Sequence, residues 1–286
     1  MKRLRGCFLV ICAIVFWTTG ALLDVDAVGQ PESAITIVAH RAGASIAPEN
    51  TLAALEQAIR DGAPIAEIDV QQLADGTLIV MHDWNFLRTA GVDRNVWEVD
   101  YEEIAGYEVG TAFSDAYHGE RIATLEQFLQ CADGRIGLMI ELKYTGHEVG
   151  LEAAVVELLH RYQMDRTCIV GSMNASILER VKQLDAGIPT VFIAHDLTEE
   201  QYEMDWADSY SIEAVNLSED MVDRIHEQNK PIYGWTANRW SVMQMIVDSG
   251  ADGIVTDNVF ETQMFLRNSS NRFSLKNYLL SGKKMV

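Results

Sequence analysis

Basic residues are scarce in this chain of 286 residues. It contains 22 lysines and arginines against 42 aspartates and glutamates, which gives a formal net charge of −20. A groove for nucleic acid or for an anionic membrane surface needs a basic face, so the charge argues against both classes of partner. A phosphate compound remains a compatible substrate if a metal ion or a few basic side chains make the local charge at the site positive.

Cysteines are also few. Two of the four, Cys7 and Cys12, lie in an apolar N-terminal stretch, and Cys131 and Cys168 stand alone in apolar surroundings. Because the latter two form no CxxC or Cys/His spacing, we expect buried core residues without thiol chemistry, with a disulfide as the lesser alternative. At this length, and with 48% hydrophobic residues, the chain can bury a core without disulfide support.

The N-terminus has the pattern of a targeting segment, which we assign to residues 1–30. Three basic residues within the first five positions precede an uncharged stretch at 6–23, barely long enough to cross a bilayer. We favour an uncleaved membrane anchor over a cleaved signal peptide, because residues 25–27 make a poor cleavage site. A third reading is the last span of a longer membrane protein. In every case the remaining chain is expected to be extracytoplasmic, either tethered or secreted.

From residue 35 to about 258, strands rich in β-branched residues alternate with amphipathic helices. Strands are predicted at 35–41, 65–70, 77–83, 135–143, 167–172, 189–195, 213–217, 231–236 and 253–257, and helices at 51–61, 124–132, 149–163, 175–185, 219–229 and 239–249. This alternation predicts an α/β fold, a (β/α)8 TIM-like barrel over residues 31–265 followed by a tail at 266–286. No GxGxxG follows the first strand, which removes the usual reason to expect an open doubly wound sheet.

Two segments depart from the regular alternation. The link between the second and third strands is too short for a helix and contains Asp75-Gly76, so these strands should form a hairpin-like pair that distorts the barrel there. Residues 84–122 contain no convincing strand and seven aromatic side chains. This insertion follows a strand end and would form a lid or side wall at the barrel mouth. An insertion with a small core of its own is the alternative.

Four successive strands end in ionisable side chains. They are His40-Arg41, Glu67 with Asp69, His82-Asp83, and Glu141 with Lys143. Residues two apart on a strand project to one side, so three carboxylates would share one mouth and repel each other unless a cation neutralises them. Carboxylate oxygens favour a hard divalent ion such as Mg²⁺ or Ca²⁺ over Zn²⁺. The neighbouring histidines suggest a general acid and a general base, with Arg41 and Lys143 placed to hold an anion.

The ordered motifs resemble those of the glycerophosphodiester phosphodiesterases. They are His40-Arg41, Glu49-Asn50-Thr51, Glu67-x-Asp69-Val70, Asp75-Gly76, Val80-x-His82-Asp83, Glu141-Leu142-Lys143 and Gly234-Trp235-Thr236, within residues 36–262. The resemblance implies a phospholipase-C-like barrel with a small insertion after the His-Asp strand. It also implies metal-dependent hydrolysis of glycerophosphodiesters to glycerol 3-phosphate and an alcohol.

Carried over residue by residue, the resemblance implies a metal site and a catalytic pair. Glu67, Asp69 and Glu141 would bind one divalent ion, either Mg²⁺ or Ca²⁺, with Mn²⁺ as a third option. His40 and His82 would be the acid/base catalysts.

The resemblance also implies residues that bind the substrate. Arg41 and Lys143 would hold phosphate oxygens, Glu49 and Asn50 would support the site, and Trp235 would wall the cleft.

One departure from the family pattern concerns the turn after the first strand. The family reads His-Arg-Gly, whereas Ala42 follows Arg41 here and Gly43 comes next. Alanine does not readily adopt a positive φ, so we expect an altered backbone path that affects the position of Glu49.

Two other functions fit the same motifs. The membrane segment and the aromatic insertion would suit a lysophospholipase D-type activity on lysophospholipids. A barrel that binds a glycerophospho group or a metal without catalysis is a third reading, although no predicted catalytic or metal-binding residue is missing from the motifs.

Overall fold

The computed structural model describes residues 35–280, with side chains through residue 269. The strands are β1 (Thr36–Ala39), β2 (Ile65–Gln72), β3 (Leu78–Val80), β4 (Gly137–Leu142), β5 (Cys168–Ser172), β6 (Thr190–Ala194), β7 (Ser209–Glu213), β8 (Ile232–Trp235) and β9 (Gly253–Thr256). The α-helices are α1 (Leu52–Arg60), α2 (Leu87–Ala90), α3 (Tyr101–Ile104), α4 (Leu125–Ala132), α5 (Leu151–Arg161), α6 (Ala175–Leu184), α7 (Glu219–His226), α8 (Trp240–Asp248) and α9 (Val259–Leu280).

Eight of these strands close into a parallel barrel. β1 pairs with β2 on one side and with β9 on the other, and β4 to β9 follow in order around the sheet. An α-helix separates most pairs of successive barrel strands, and only a 3-10 turn at Glu199–Gln201 lies between β6 and β7. The large helices bury their apolar faces on the outside of the barrel, as Leu55, Phe128 and Leu178 illustrate. The (β/α)8 prediction is therefore confirmed.

The third predicted strand lies outside the barrel. β3 runs antiparallel to β2, with Val70 opposite Val80, and the connecting turn contains Gly76 at φ 85°. The chain therefore reverses after β2 and runs back along it. The amide of Met81, just after β3, donates to the carbonyl of Asp69 at 2.8 Å. This returning strand delivers the following residues to the same mouth as the barrel strands.

The predicted strand at 213–217 is wrong by four residues. β7 is Ser209–Glu213, and a 3-10 turn occupies Ala214–Asn216. Serines obscure the apolar pattern of this strand, because Ser209 and Ser211 are polar residues at buried positions. The Ser209 hydroxyl is satisfied by donating to the carbonyl of Thr190 at 3.0 Å. By contrast, Val215 in the turn is 67% exposed despite its apolar side chain.

The insertion at 84–122 has a small hydrophobic core that it shares with the β2–β3 hairpin. Phe86 is fully buried in this cluster together with Val96 and Ile104, against Ile79 of the hairpin. The insertion thus packs onto the hairpin that carries the His-Asp pair.

The structure describes the predicted C-terminal tail in part and does not describe the predicted N-terminal segment. The expected membrane segment at 6–23 lies outside the described residues. Within residues 35–280, no helix combines the length and the apolar character needed to cross a bilayer. At the other end, the backbone of the predicted tail continues α9 to Leu280.

Candidate active site

Two neighbouring strands place three carboxylates together. Asp69 of β2 lies opposite Glu141 of β4 in the parallel register, and Glu67 precedes Asp69 by two residues on the same face. All three side chains are buried, and one oxygen from each lies within 4.8 Å of the others. Strand alternation and register therefore produce the cluster that the motifs predict.

Burial and mutual repulsion set the protonation of these carboxylates. Burial, with the neighbouring charge of Asp69, raises the pKa of Glu67 to about 8. Burial also raises the pKa of Glu141. It acts in the same direction on Asp69, but the ammonium of Lys143 and a bond from Asn50 hold that pKa at about 2. A cation close to Glu67 would remove the cost of ionising it.

The carboxylate cluster fits a divalent cation. Oxygen Oε1 of Glu67 is buried and has no hydrogen-bond partner among the described residues. A buried, unpaired carboxylate oxygen beside two further carboxylates is a donor set suited to Mg²⁺ or Ca²⁺. Lys143, predicted to hold phosphate, bonds two members of this set, since its Nζ lies 2.8 Å from both Asp69 Oδ1 and Glu141 Oε1.

His40 follows β1 and pairs with a carboxylate that the motifs did not single out. Its Nδ1 lies 2.6 Å from Asp257 Oδ1, and its Nε2 lies 4.0 Å from Glu67 Oε2. Burial lowers the pKa of His40, but the bond to Asp257 and the charges of Glu67 and Asp257 outweigh it and raise that pKa. Asp257 directly follows β9, so the strand-end rule that identified His40 would also have found it.

His82 has a similar partner, its sequence neighbour. The Nδ1 atom lies 2.9 Å from Asp83 Oδ1. The buried Gln71 of β2 fixes the backbone here, because its Nε2 donates to the carbonyls of Met81, His82 and Asp83 at 2.8, 3.2 and 2.7 Å. Gln71 lies two residues beyond Asp69 on the same strand, so β2 also helps to position His82.

The turn after β1 adopts a strained conformation. Arg41 and Ala42 have φ of 49° and 63°, so Ala42 does take the positive φ that we expected it to avoid. The backbone amide of Arg41 donates to Glu67 Oε2 at 2.8 Å. Its Nη1 donates to Glu49 Oε1 at 3.0 Å, so Glu49 remains next to Arg41 in spite of Ala42.

Asn50 joins this turn to the carboxylate cluster. Its amide bonds the carbonyl of Arg41 at 2.9 Å, and its side chain both donates to Asp69 Oδ2 at 2.8 Å and accepts from the Asp69 amide at 3.2 Å. The side chain is buried and the residue has φ 56°, a conformation that asparagine tolerates better than most residues.

Sequence reasoning also missed Arg88, which lies in α2 of the insertion. Its guanidinium donates to Asp83 at 2.6 and 3.0 Å and to Glu49 at 2.8 and 2.6 Å. These bonds hold the pKa of Asp83 at about 2. Against the opposing effect of burial, Arg88 and Arg41 together lower the pKa of Glu49.

Trp235 ends β8 and belongs to a different part of the mouth. Its Nε1 donates to the carbonyl of Ser211 at 3.0 Å, and its ring lies 5.3 Å from that of His195. His195 in turn has its Nδ1 2.9 Å from Glu213 Oε2. The residues around Trp235 thus come from the ends of β6, β7 and β8.

The contacts of His40 and His82 prepare both rings for proton transfer. An ionised carboxylate can only accept a hydrogen bond, so Asp257 and Asp83 fix the proton on Nδ1 of His40 and His82 respectively. Nε2 of each ring is then the atom available for exchange with a reacting group. Glu67 and Arg41 lie close enough to the His40 ring to interact with it electrostatically. Asp69 and Glu141 interact in the same way with the His82 ring.

Comparisons with known proteins identify the family of this chain. The model of the glycerophosphoryl diester phosphodiesterase family matches residues 40–261. YhdW of Bacillus subtilis is 34% identical over 77% of this chain and 93% of its own length, and the glycerophosphodiester phosphodiesterase of Caldanaerobacter subterraneus subsp. tengcongensis is 30% identical with the same coverage. A phosphodiesterase of Oleispira antarctica, solved with its product sn-glycerol-3-phosphate, has a TM-score of 0.77 and 26% identity, covering 81% of this chain and 96% of that one. This chain belongs to the glycerophosphoryl diester phosphodiesterase family of enzymes.

Proposed function

We propose that the chain hydrolyses glycerophosphodiesters to glycerol 3-phosphate and an alcohol, with His40 and His82 as acid/base catalysts. The observation that carries this proposal is the pair of histidines, each bonded through Nδ1 to a carboxylate, beside the buried carboxylate cluster. The glycerol 3-phosphate bound to the Oleispira antarctica relative supports the substrate class.

Glu67, Asp69 and Glu141 would hold the divalent ion, for which we propose Mg²⁺ or Ca²⁺. When bound, such an ion supplies Lewis-acid stabilisation of charge on the phosphate. Its charge would also neutralise the carboxylates that Lys143 now bonds, which would leave the ammonium free to pair with a phosphate oxygen.

The histidines would move the two protons of the reaction. One Nε2 accepts the proton of the attacking hydroxyl, and the other donates a proton to the oxygen of the departing alcohol. The attacking hydroxyl is either that of the substrate glycerol, which gives a cyclic phosphate that water then opens, or that of water itself. Arg41 would hold the phosphate between the rings through its guanidinium.

A panel of substrates and metals tests the proposal. Protein lacking residues 1–30 is incubated with several head-group diesters in the presence of Mg²⁺, Mn²⁺, Ca²⁺ or a chelator, and released glycerol phosphate is measured. We expect turnover with at least one diester, lost on chelation. No release under any combination would refute the proposed reaction, and full turnover in the chelator would refute its metal dependence.

Lysophospholipids are a second candidate substrate class, favoured by apolar residues around the mouth. Trp84, Tyr144 and Met173 are 65%, 61% and 46% exposed, and they lie shortly after His82, β4 and β5. Exposed apolar side chains beside a cleft could accommodate an acyl chain. The ratio of kcat/KM for lysophosphatidylcholine to that for glycerophosphocholine separates the two classes, and a strong preference for the lipid would favour this candidate.

We further propose that the enzyme acts outside the cytoplasm and is tethered through residues 6–23. The support is the basic flank before an uncharged stretch in the sequence. Fractionation of cells expressing the whole chain, compared with the chain lacking residues 1–30, tests this. Recovery of the whole chain in the soluble cytoplasmic fraction would contradict it.

A further inference from the structure

Arg88 occupies an unusual position for a residue of the insertion. The insertion packs on the β2–β3 hairpin through apolar contacts, whereas Arg88 reaches across to polar groups of the mouth. Its guanidinium forms four hydrogen bonds, two to Asp83 and two to Glu49, at 2.6 to 3.0 Å. Two bidentate contacts from one planar group fix the relative position of both carboxylates.

Through Asp83, Arg88 acts on His82. Asp83 uses Oδ1 both to accept from His82 Nδ1 at 2.9 Å and to accept from Arg88 Nη2 at 3.0 Å. Without Arg88, the Asp83 carboxylate, which is one-quarter exposed, could rotate away from the imidazole. The ring would then lose the partner that sets its tautomer and direction.

Through Glu49, Arg88 acts on Arg41. Glu49 accepts from Arg41 Nη1 at 3.0 Å through the same Oε1 that accepts from Arg88 at 2.6 Å. Because Arg88 already neutralises Glu49, Arg41 can turn toward a substrate phosphate without leaving an unpaired carboxylate behind. An unpaired charge here would instead compete with the substrate for Arg41.

We propose that Arg88 is a positioning residue of the active site, which holds Asp83 against His82 and occupies Glu49 so that Arg41 is available to phosphate. This inference rests on the proposed function for its kinetic consequences. It also assigns a role to the insertion, which would then complete the site through one side chain.

The kinetic test compares Arg88→Ala and Arg88→Lys with Arg94→Ala as a matched control. Arg94 belongs to the same insertion and pairs with Glu103 at 2.9 Å on its surface. Removing Arg88 should lower kcat by roughly 10 to 100-fold, part of the about 10²–10⁴ typical of general acid/base catalysis, and raise KM severalfold. Lysine should not restore either value because it cannot bond both carboxylates in pairs. Arg94→Ala should resemble the wild type.

Rescue of Arg88→Ala by added guanidinium ion distinguishes a positioning role of Arg88 from a general structural role. The Arg88 side chain is 49% exposed, so a free guanidinium ion can reach the gap left in Arg88→Ala. At millimolar concentration it should recover a substantial part of kcat in this variant and change neither the wild type nor Arg94→Ala. In the double variant with Asp83→Asn, loss of Arg88 should lower kcat little further, since both act through His82.

Three kinetic outcomes would overturn the proposal. They are wild-type kinetics in Arg88→Lys, absence of guanidinium rescue, and independent losses in the double variant. Nitrogen-15 NMR of the His82 ring keeps the test independent of turnover, because its Nδ1 signal should change in Arg88→Ala and not in Arg94→Ala. An inactive wild type would refute the proposed function alone, and an unchanged His82 signal would refute the role of Arg88.

Discussion

At the residue scale, the two histidines share one arrangement although they come from different parts of the fold. His40 bonds Asp257, which is 217 residues away in the chain, whereas His82 bonds the next residue, Asp83. In both cases the carboxylate holds Nδ1, and Nε2 forms no hydrogen bond within the described part of the chain, although Nε2 of His40 lies 4.0 Å from Glu67 Oε2. Two imidazoles prepared in the same way are what a reaction with two proton transfers requires.

Asp257→Asn should impair catalysis through His40. Against the opposing effect of burial, the bond to Asp257 and the charges of Glu67 and Asp257 raise the pKa of His40. Loss of the Asp257 charge lowers that pKa, so the limb of the pH–rate profile that His40 controls should move to lower pH, with kcat reduced at least about tenfold. Steady-state rates across pH measure this. An unshifted profile with normal kcat would contradict the assigned pairing.

Glu67→Gln should change how stability depends on pH. Burial, with the charge of Asp69, raises the pKa of Glu67 from 4.5 to about 8. Between these values the folded protein holds a proton that the unfolded chain has released, so this group makes the free energy of unfolding fall as pH rises. Urea denaturation in chelator should show a weaker decrease for Glu67→Gln over this window.

The exposed Glu157 provides the control for that experiment. Its side chain is 71% exposed and pairs with Arg161 on one helix, so Glu157→Gln should keep the wild-type pH dependence. An equally steep decrease in Glu67→Gln and in the wild type would show that Glu67 does not titrate in the folded protein as described.

At the element scale, β2 organises most of the site. Its inward face carries Glu67, Asp69 and Gln71, which serve the carboxylate cluster and the backbone around His82. The alternation of strand residues makes the first two predictable from the sequence. Gln71 is not, because its partners are carbonyls of a hairpin whose fold-back direction depends on the turn after β2.

Phe86→Ala should loosen the insertion selectively. Phe86 is fully buried in the cluster that joins the insertion to the hairpin, so its loss should destabilise this region by about 3–5 kcal/mol. Limited proteolysis should then cut within residues 84–122 before the barrel. Trp84→Ala, which removes a side chain that is 65% exposed, should leave the cleavage pattern unchanged. Equal protection of both variants would contradict a core in the insertion.

At the scale of the whole molecule, the sequence predicts the barrel and most of the site because both follow local rules. Strand–helix alternation predicts the architecture, and polar residues at strand ends predict which side chains share the mouth. Asp257 follows the end of β9 and so fits the strand-end pattern, although only the structure shows that its partner is His40. Arg88 escapes prediction because it lies in the insertion and acts through Glu49, which is 39 residues away in the chain. The β7 boundary is predicted wrongly because it also depends on a contact with another segment. The buried Ser209 forms a hydrogen bond with the neighbouring strand, whereas its polar side chain suggests an exposed position in the sequence.

A divalent cation should stabilise the whole molecule through the carboxylate cluster. A cation at 100 times its Kd adds about 2.7 kcal/mol to the free energy of unfolding, so Mg²⁺ or Ca²⁺ should raise Tm. Asp69→Asn should abolish this rise in thermal denaturation. A rise that persists in Asp69→Asn would place the ion elsewhere.

The surface group of His160, Asp165 and Asp185 supplies the matched control. Its possible ligand atoms also lie within 4.8 Å of one another. However, Arg166 pairs with both aspartates, at 3.1 Å for Asp165 and 3.6 Å for Asp185. Asp185→Asn should therefore keep the cation-dependent rise in Tm.

Catalysis by the two histidines is tested by the release of glycerol 3-phosphate from a diester that the wild type cleaves, measured with saturating divalent cation for the wild type, His40→Ala and His82→Ala. We expect turnover by the wild type and a loss of roughly 10²-fold or more in each variant, because each removes one of the two proton-transfer groups. Wild-type turnover in either variant would contradict this catalytic role.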